Sequence, residues 1–578
     1  VSAAPRASRS ASAAALPVVA GAAVAVLTVV LYSVSKGKWS DPIIDSGREW
    51  IVPDALSRGG LLYRDVVYWF GPLTPYVQSA FFRVFGSSFG SLVLAGAAGS
   101  AVLIAVFHAA LRVVVPRRDA WLWTALVIPA LVFMPNAGGS LLGMGFRIWQ
   151  AATLVVAAIA LAATAGPKGR AGRLLAAGVL AGLAGLCRTE WGLAGVGAVG
   201  LARVAGADGV RRAVRDAALV SAGWAAAFGA GLSLFLASAG WDAVVRDGHV
   251  LLTGLPRETK TFLAAYAGFG DWKRGLLQMA YSSAMWLGGF LAIDLAARPR
   301  PQAFRAIVPV GVVLAVTALL GGATGAVLFS AAPLVCALAL VVAVRSPRRR
   351  RLPSGMAAVG FAAAGLVLSY RRPFHIGDAA YVGPPLLFAF LSAATLVRAG
   401  VRRAPPGPER RRLRLAVPLG LAVLVACAFG GRIFQYASDD RVPIQGTEGM
   451  LTARPAVASQ IQVLAQRIRA ESEPEEGLVS FPEGELMNYV ADRRNPIRHK
   501  LYIPGYLTDE NEDSVLAELQ AAPPRFALIW TRPTGEYGRS FFGDDYGAKI
   551  RRWLDANYEV RKFDPRTSGR RVVVYRRR

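Results

Sequence analysis

Apolar stretches of bilayer-crossing length recur through roughly the first 430 positions, and this repetition limits the possible fold more than any single motif. A spanning helix needs about 20 mainly apolar residues, because no water remains inside a bilayer to satisfy the backbone. Candidate spans lie near 14–34, 89–111, 120–135, 148–166, 174–187, 191–205, 217–240, 276–297, 306–321, 323–344, 353–370, 383–400 and 415–430. That makes about thirteen, with those at 174 and 191 short enough to form one broken or re-entrant pair. Only 18% of the 578 residues are charged and the mean hydropathy is +0.41, against about 25% charged in soluble domains. An ordinary soluble enzyme is excluded.

The formal charge of +28, from 65 Lys and Arg against 37 Asp and Glu, would point a soluble chain toward nucleic acid. Here its placement tells a different story. Basic clusters stand at Arg112, Arg117 and Arg118; at Lys168, Arg170 and Arg173; at Arg203, Arg211, Arg212 and Arg215; at Arg298, Arg300 and Arg305; at Arg345 and Arg348 to Arg351; and from Arg402 to Arg414. Each follows an even-numbered span, as the positive-inside rule requires of cytoplasmic loops. The expectation is a multi-pass protein of the cytoplasmic membrane with its amino terminus inside, the segment after the last span outside, and no nucleic-acid partner. The first span follows Arg6 and Arg9 and lacks a small-residue cleavage site before the polar stretch at 35, so it reads as an uncleaved helix. Cys187, Cys336 and Cys427 sit in or beside spans, and the four histidines are scattered, so neither a disulfide framework nor a metal signature is visible.

Two regions differ from this membrane body, which is taken as 1–430. One is the loop 35–88 after the first span. The other is the tail 431–578, where short apolar runs at Leu478–Phe481, Phe526–Trp530 and Arg571–Tyr575 read as strands, and 455–470, 513–521 and 546–557 have helical spacing. The predicted fold class is therefore mainly α and polytopic, with a C-terminal soluble α/β domain outside the membrane.

The loop carries Asp41, Asp45, Glu49, Asp54 and Asp65 within 25 positions of a chain otherwise poor in acids, with Trp50, Pro53 and Tyr63 interleaved. Taken singly, such acids read as solvated charges. As a set, they fit carboxylates held at the water boundary by apolar and aromatic residues lying along the membrane.

In order and spacing, Asp45, Gly59 or Gly60, Tyr63 to Asp65 and Gly71-Pro72-Leu73-Thr74-Pro75-Tyr76 resemble the membrane glycosyltransferases of the GT-C fold. These use polyprenyl-phosphate sugars and include protein O-mannosyltransferases and the aminoarabinose transferases of lipid A. Gly185 to Trp191 resembles the Lys-Pro-Glu break after the fifth span of bacterial members, and Phe481 to Tyr489 with Arg493 to Pro496 resembles the outer domain of one subgroup. Ser46 departs from the pattern, standing where a second acid is common.

The resemblance implies sugar transfer from a polyprenyl-phosphate donor to an acceptor hydroxyl on a lipid, glycan or protein, by a single inverting displacement at the outer membrane face. Asp45 would be the general base, with Asp41 as second choice. Such chemistry asks for one positioned carboxylate to take the hydroxyl proton and for cations facing the departing phosphate. Glu49, Tyr63 and Asp65 are the further substrate-binding candidates on the loop. Arg188 beside Glu190 is the leading cation, or else a pair tying two helix ends together. Arg147, with no acid adjacent in sequence, and Arg371, Arg372 and His375 follow, with snorkelling to headgroups as the competing reading. No cofactor or metal is called for; the partners are the donor, the acceptor and membrane lipids. Glu483, Glu485, Asn488, Arg493 and Arg494 read as tail surface charges rather than as the lining of an acceptor groove. The rival functions are a lipid or glycan transporter or flippase, and a non-catalytic membrane scaffold.

Overall fold

The computed structural model describes residues 8–134, 142–143, 146–248, 332–345, 351–369, 383–403, 405–561 and 572–578, with isolated positions between 260 and 280. Its membrane body is built from helices Ser8–Ser35 (α1), Phe89–Val114 (α4), Arg117–Val127 (α5), Phe146–Ala163 (α6), Arg170–Cys187 (α7), Thr189–Gly206 (α8), Val210–Ala239 (α9), Ala332–Val344 (α10), Pro353–Leu368 (α11), Gly383–Arg403 (α12) and Pro408–Ala437 (α13). Between α1 and α4 the loop forms two further helices, Gly47–Ser57 (α2) and Leu73–Phe85 (α3).

Among the described residues six helices are long and apolar enough to cross a membrane: α4, α6, α7, α9, α12 and, over Arg410–Ala437, α13. This marks a polytopic membrane protein but corrects the count of about thirteen. The apolar stretch at 120–135 does not make one spanning helix, because α5 ends at Val127 and a wide turn, Ile128–Val132, follows with Pro129 inside it. Glu190 and Arg203 reduce the hydropathy of α8. Gly21–Ser35, α10 and α11 are shorter apolar helices, and 276–297 and 306–321 lie outside the described residues except for isolated positions. The stretches at 174 and 191 form a tight helical hairpin broken at Arg188, whose backbone is extended (φ −155°, ψ 120°). The closest packing in the body joins α7 and α9: a Cβ on Gly178 would stand 2.1 Å from the Val220 carbonyl, and one on Gly223 2.2 Å from that of Leu175. Small residues let helices approach where no hydrophobic force drives them together in lipid.

The tail carries a four-stranded sheet of Leu478–Phe481, Phe526–Trp530, Val572–Arg577 and Tyr558–Arg561 in spatial order, the first pair parallel and the others antiparallel. Both faces are covered, which explains the unbroken apolar runs of the two inner strands. Val479, Phe481, Ala527 and Ile529 face helices Glu512–Ala521 and Ala548–Asn557. Leu478, Leu528 and Trp530 face the other way, joining helix Pro455–Ala470 in a core that continues into the loop and the membrane body. A short hairpin, Val442–Pro443 with Thr452–Ala453, meets the start of the loop: Thr452 donates through both its backbone N–H and its Oγ1 to the Gly37 carbonyl, at 3.0 and 2.9 Å.

Candidate functional site: a buried charge cluster between loop and tail

The loop turns at Pro42–Ser46, a wide turn capped by Asp41, whose Oδ1 accepts from the backbone N–H groups of Ile43 and Ile44 at 2.9 Å each. That turn delivers Asp45 to the interior, 8% exposed, and α2 begins directly after it. One helical step further on, Arg48 donates to Asp45 Oδ1 at 2.6 Å. Gly47 has no room for a side chain, since a Cβ there would stand 2.1 Å from the Leu486 nitrogen and 2.5 Å from the Glu485 carbonyl carbon. The loop is thus closed directly onto the tail.

The tail residues it meets are not surface charges. Glu483, Glu485, Asn488 and Arg493 are all buried, Glu483 and Glu485 at 2% and 1% exposure, and only Arg494 lies at the surface. The two glutamates flank Gly484 just after the strand Leu478–Phe481, where an apolar sheet face runs into the loop, and that is why they are enclosed. Glu483 pairs with Arg532 at 3.0 Å. Asn488 Nδ2 donates to the carbonyls of Leu478 and Arg493, fixing the turn from inside.

Electrostatics tie the two sides together. Burial raises the affinity of Asp45 for a proton, with Arg48 opposing and Glu49 and Asp41 adding to it. Burial also pushes the Glu483 carboxyl up to about 8, against the pull of Arg532, with Asp45 assisting. Glu485 is raised well above its ordinary range by burial and by Glu483. For Arg48, burial works against the charge, but the carboxylates of Asp45, Glu49 and Glu483 outweigh it and hold the guanidinium firmly protonated. Desolvation and like-charge crowding are the terms that move carboxyl groups upward.

A second set of cations lies next to this one. Arg147, at the start of α6, is 4% exposed and pairs with Glu49 at 2.8 Å. Snorkelling is therefore corrected: its acid partner comes from the loop, 98 positions earlier. The Arg147 guanidinium lies 3.9 Å from the centre of the Phe70 ring, and that of Arg188 lies 5.2 Å from the same ring. Arg188 pairs with Glu190 at 2.5 Å. Gly71 makes the approach possible, because a Cβ on it would meet the Leu186 carbonyl oxygen at 2.0 Å. The loop's Gly71-Pro72 corner therefore sits on the break between α7 and α8.

Other sequence candidates fall elsewhere. Tyr63 is buried in a strained turn (φ +70°), its hydroxyl donating to the Phe70 carbonyl at 2.6 Å, so it ties down the backbone at Phe70. Asp65 is largely exposed, pairs with its neighbour Arg64 and accepts from the Leu61 N–H. Arg371, Arg372 and His375 lie outside the described residues. Among the described residues no group of three or more His, Cys, Asp or Glu is arranged to hold a metal ion. Sequence reasoning passed over Arg48, Phe70 and Arg532; the available signal was the i, i+3 spacing of Asp45 and Arg48 after a Pro-led turn.

No protein-family model and no curated protein matches the chain. Similar solved structures include the Archaeoglobus fulgidus oligosaccharyltransferase in complex with Zn and sulfate, at 15% identity over 88% of this chain and 68% of that one, with a TM-score of 0.49. Others are ArnT from Cupriavidus metallidurans in the apo state, at 16% identity over 97% and 98% with a TM-score of 0.49, and the same protein bound to undecaprenyl phosphate, at 16% over 96% of each chain and 0.47.

Proposed function

We propose that the chain is a GT-C-type glycosyltransferase that moves a sugar from a polyprenyl-phosphate donor to an acceptor hydroxyl at the outer face of the cytoplasmic membrane, with the tail on that face. The observation that carries this reading is Asp45: a buried carboxylate, oriented by Arg48 and enclosed by the tail, with Glu49, one helical turn further on, pairing Arg147, which shares the Phe70 ring with Arg188. Asp45 takes the proton of the acceptor hydroxyl as its oxygen attacks the anomeric carbon, the phosphate leaves with the bonding electrons, and configuration inverts. A buried carboxylate of raised proton affinity suits that work, because catalytic strength is greatest when the base titrates near the working pH. Arg147 and Arg188 face the phosphate, whose charge grows during departure. Asp41, already engaged as a cap, serves the shape of the turn.

The test is Asp45→Asn, assayed in membranes with labelled polyprenyl-phosphate sugar. The expected result is a loss of about 10²–10⁴-fold in turnover, the range that general-base catalysis contributes, with donor binding retained. Turnover at the unaltered level overturns the assignment. If the donor crosses the membrane unreacted, the protein is a transporter instead.

A further inference from the structure

At the end of the bundle away from the tail, three segments enclose a cavity of about 370 Å³: the Val115–Pro116 corner leading into α5, the last turns of α12 and the first turns of α13. Its position follows from the other helix ends. The Phe89 end of α4 meets Tyr489 of the tail, and the Tyr436 end of α13 accepts a bond from Lys38, so Val115 and Arg414 lie at the opposite pole. Arg118, Arg398, Arg402 and Arg414 line the cavity against one acid, Asp119. Two of the basic clusters that the sequence shows as separate orientation signals, at 112–118 and 402–414, converge here. The Arg398 guanidinium donates to the Val114 carbonyl, which fixes it at the wall. The floor is apolar, formed by Trp123, Ala394 and Val417. Between the arginines the wall continues apolar through Val397 and Val401 of α12.

We propose that this cavity binds the phosphodiester headgroup of an anionic glycerophospholipid. Four guanidiniums to one carboxylate demand an anion, and Arg presents a planar fork suited to phosphate oxygens. The apolar floor, with Val397 and Val401 in the wall, offers acyl chains a surface that a free phosphate would leave uncovered. The volume lies within the range of about 300–1,000 Å³ typical of ligand pockets. A choline headgroup is disfavoured, since it would set a quaternary ammonium among the arginines. Basic pockets between spanning helices at the cytoplasmic level are suited to such headgroups.

The test uses the full-length protein, delipidated in neutral detergent and titrated with phosphatidylglycerol, phosphatidylcholine or inorganic phosphate, with bound species counted by native mass spectrometry. Phosphatidylglycerol should bind at least about tenfold more tightly than phosphatidylcholine. Arg118→Gln with Arg414→Gln should weaken it by about thirtyfold, the fold-change given by about 1 kcal/mol per basic residue near an anionic lipid. A control pair with the same loss of charge, Arg411→Gln with Arg412→Gln at exposed positions outside the cavity, should keep most of the affinity. Equal binding of the two lipids, or equal losses in the two variants, overturns the proposal. Inorganic phosphate that saturates the site and displaces the lipid overturns the lipid assignment and leaves an ion site.

Discussion

The Arg147 guanidinium lies 3.9 Å from the centre of the Phe70 ring while its charge is met by Glu49 at 2.8 Å, so a loop aromatic and a loop acid together hold one cation at the mouth of α6. Arg188 approaches the same ring from the α7–α8 break. Phe70 is thereby the point at which the loop organises two helices that are far apart in sequence.

Glu49→Gln should be strongly destabilising. Both members of its ion pair with Arg147 have side chains 5% exposed, and removing one partner leaves a buried charge uncompensated, at a cost of about 3–5 kcal/mol. Thermal unfolding in detergent measures the loss. A midpoint within a degree or two of the parent would mean that Arg147 finds another partner or reaches water.

Stability should fall as pH rises from about 5 to 8. Glu483 ordinarily titrates at 4.5, and burial lifts it to about 8 in the fold. Between those values the folded chain keeps a proton that the unfolded chain has lost, so the stabilisation is complete below about 4.5 and is lost as pH approaches 8. A single proton gives a slope of at most about 1.4 kcal/mol per pH unit. Burial of Asp45 acts in the same direction. Glu483→Gln should flatten the dependence of the thermal midpoint in this window. An unchanged slope would show that other groups carry it.

Gly47→Ala should loosen the tail from the loop. The added methyl would fall 2.1 Å from the Leu486 nitrogen, a backbone atom that cannot swing aside, and overpacking of this kind costs about 1–3 kcal/mol or more. Limited proteolysis should release the tail faster than from the parent. Gly197→Ala, in α8 with nothing within 4 Å of the new methyl, is the control and should change nothing or stabilise slightly through helix propensity. Equal protection of the Gly47 variant would overturn the direct closure of loop on tail.

Local pattern made much of the fold legible. The helix at 455–470 and the strands at 478–481 and 526–530 lie where apolar periodicity put them, because that periodicity records which face is buried. The sequence also singled out Asp45, Arg147 and Arg188. What it did not convey was pairing between distant segments. Arg147 looked unpartnered because Glu49 is far away along the chain, and Glu483 and Glu485 looked solvated because their burial depends on Gly47 arriving from the loop. Apolar runs likewise overstated the number of spans: a run such as 120–135 records burial, whereas a crossing also needs an unbroken helix, and here a turn with Pro129 intervenes.

Arg188→Lys separates charge from geometry at the proposed phosphate site. Lysine keeps the positive charge and can still pair with Glu190, but it lacks the planar group that lies over Phe70. A desolvated cation–π contact is worth about 1–2 kcal/mol, so the apparent donor affinity should fall by about five- to thirtyfold with turnover at saturating donor largely kept. Phe70→Leu should act in the same direction and more strongly, because it removes the ring from Arg147 as well. If Arg188 works through that ring, the double variant should be little worse than Phe70→Leu alone, since the two changes delete one shared contact and contacting residues do not add. Steady-state kinetics over a range of donor concentrations distinguish the cases. Additive losses would assign Arg188 a role independent of Phe70, and unchanged donor affinity in Arg188→Lys would leave the residue as a tie between α7 and α8.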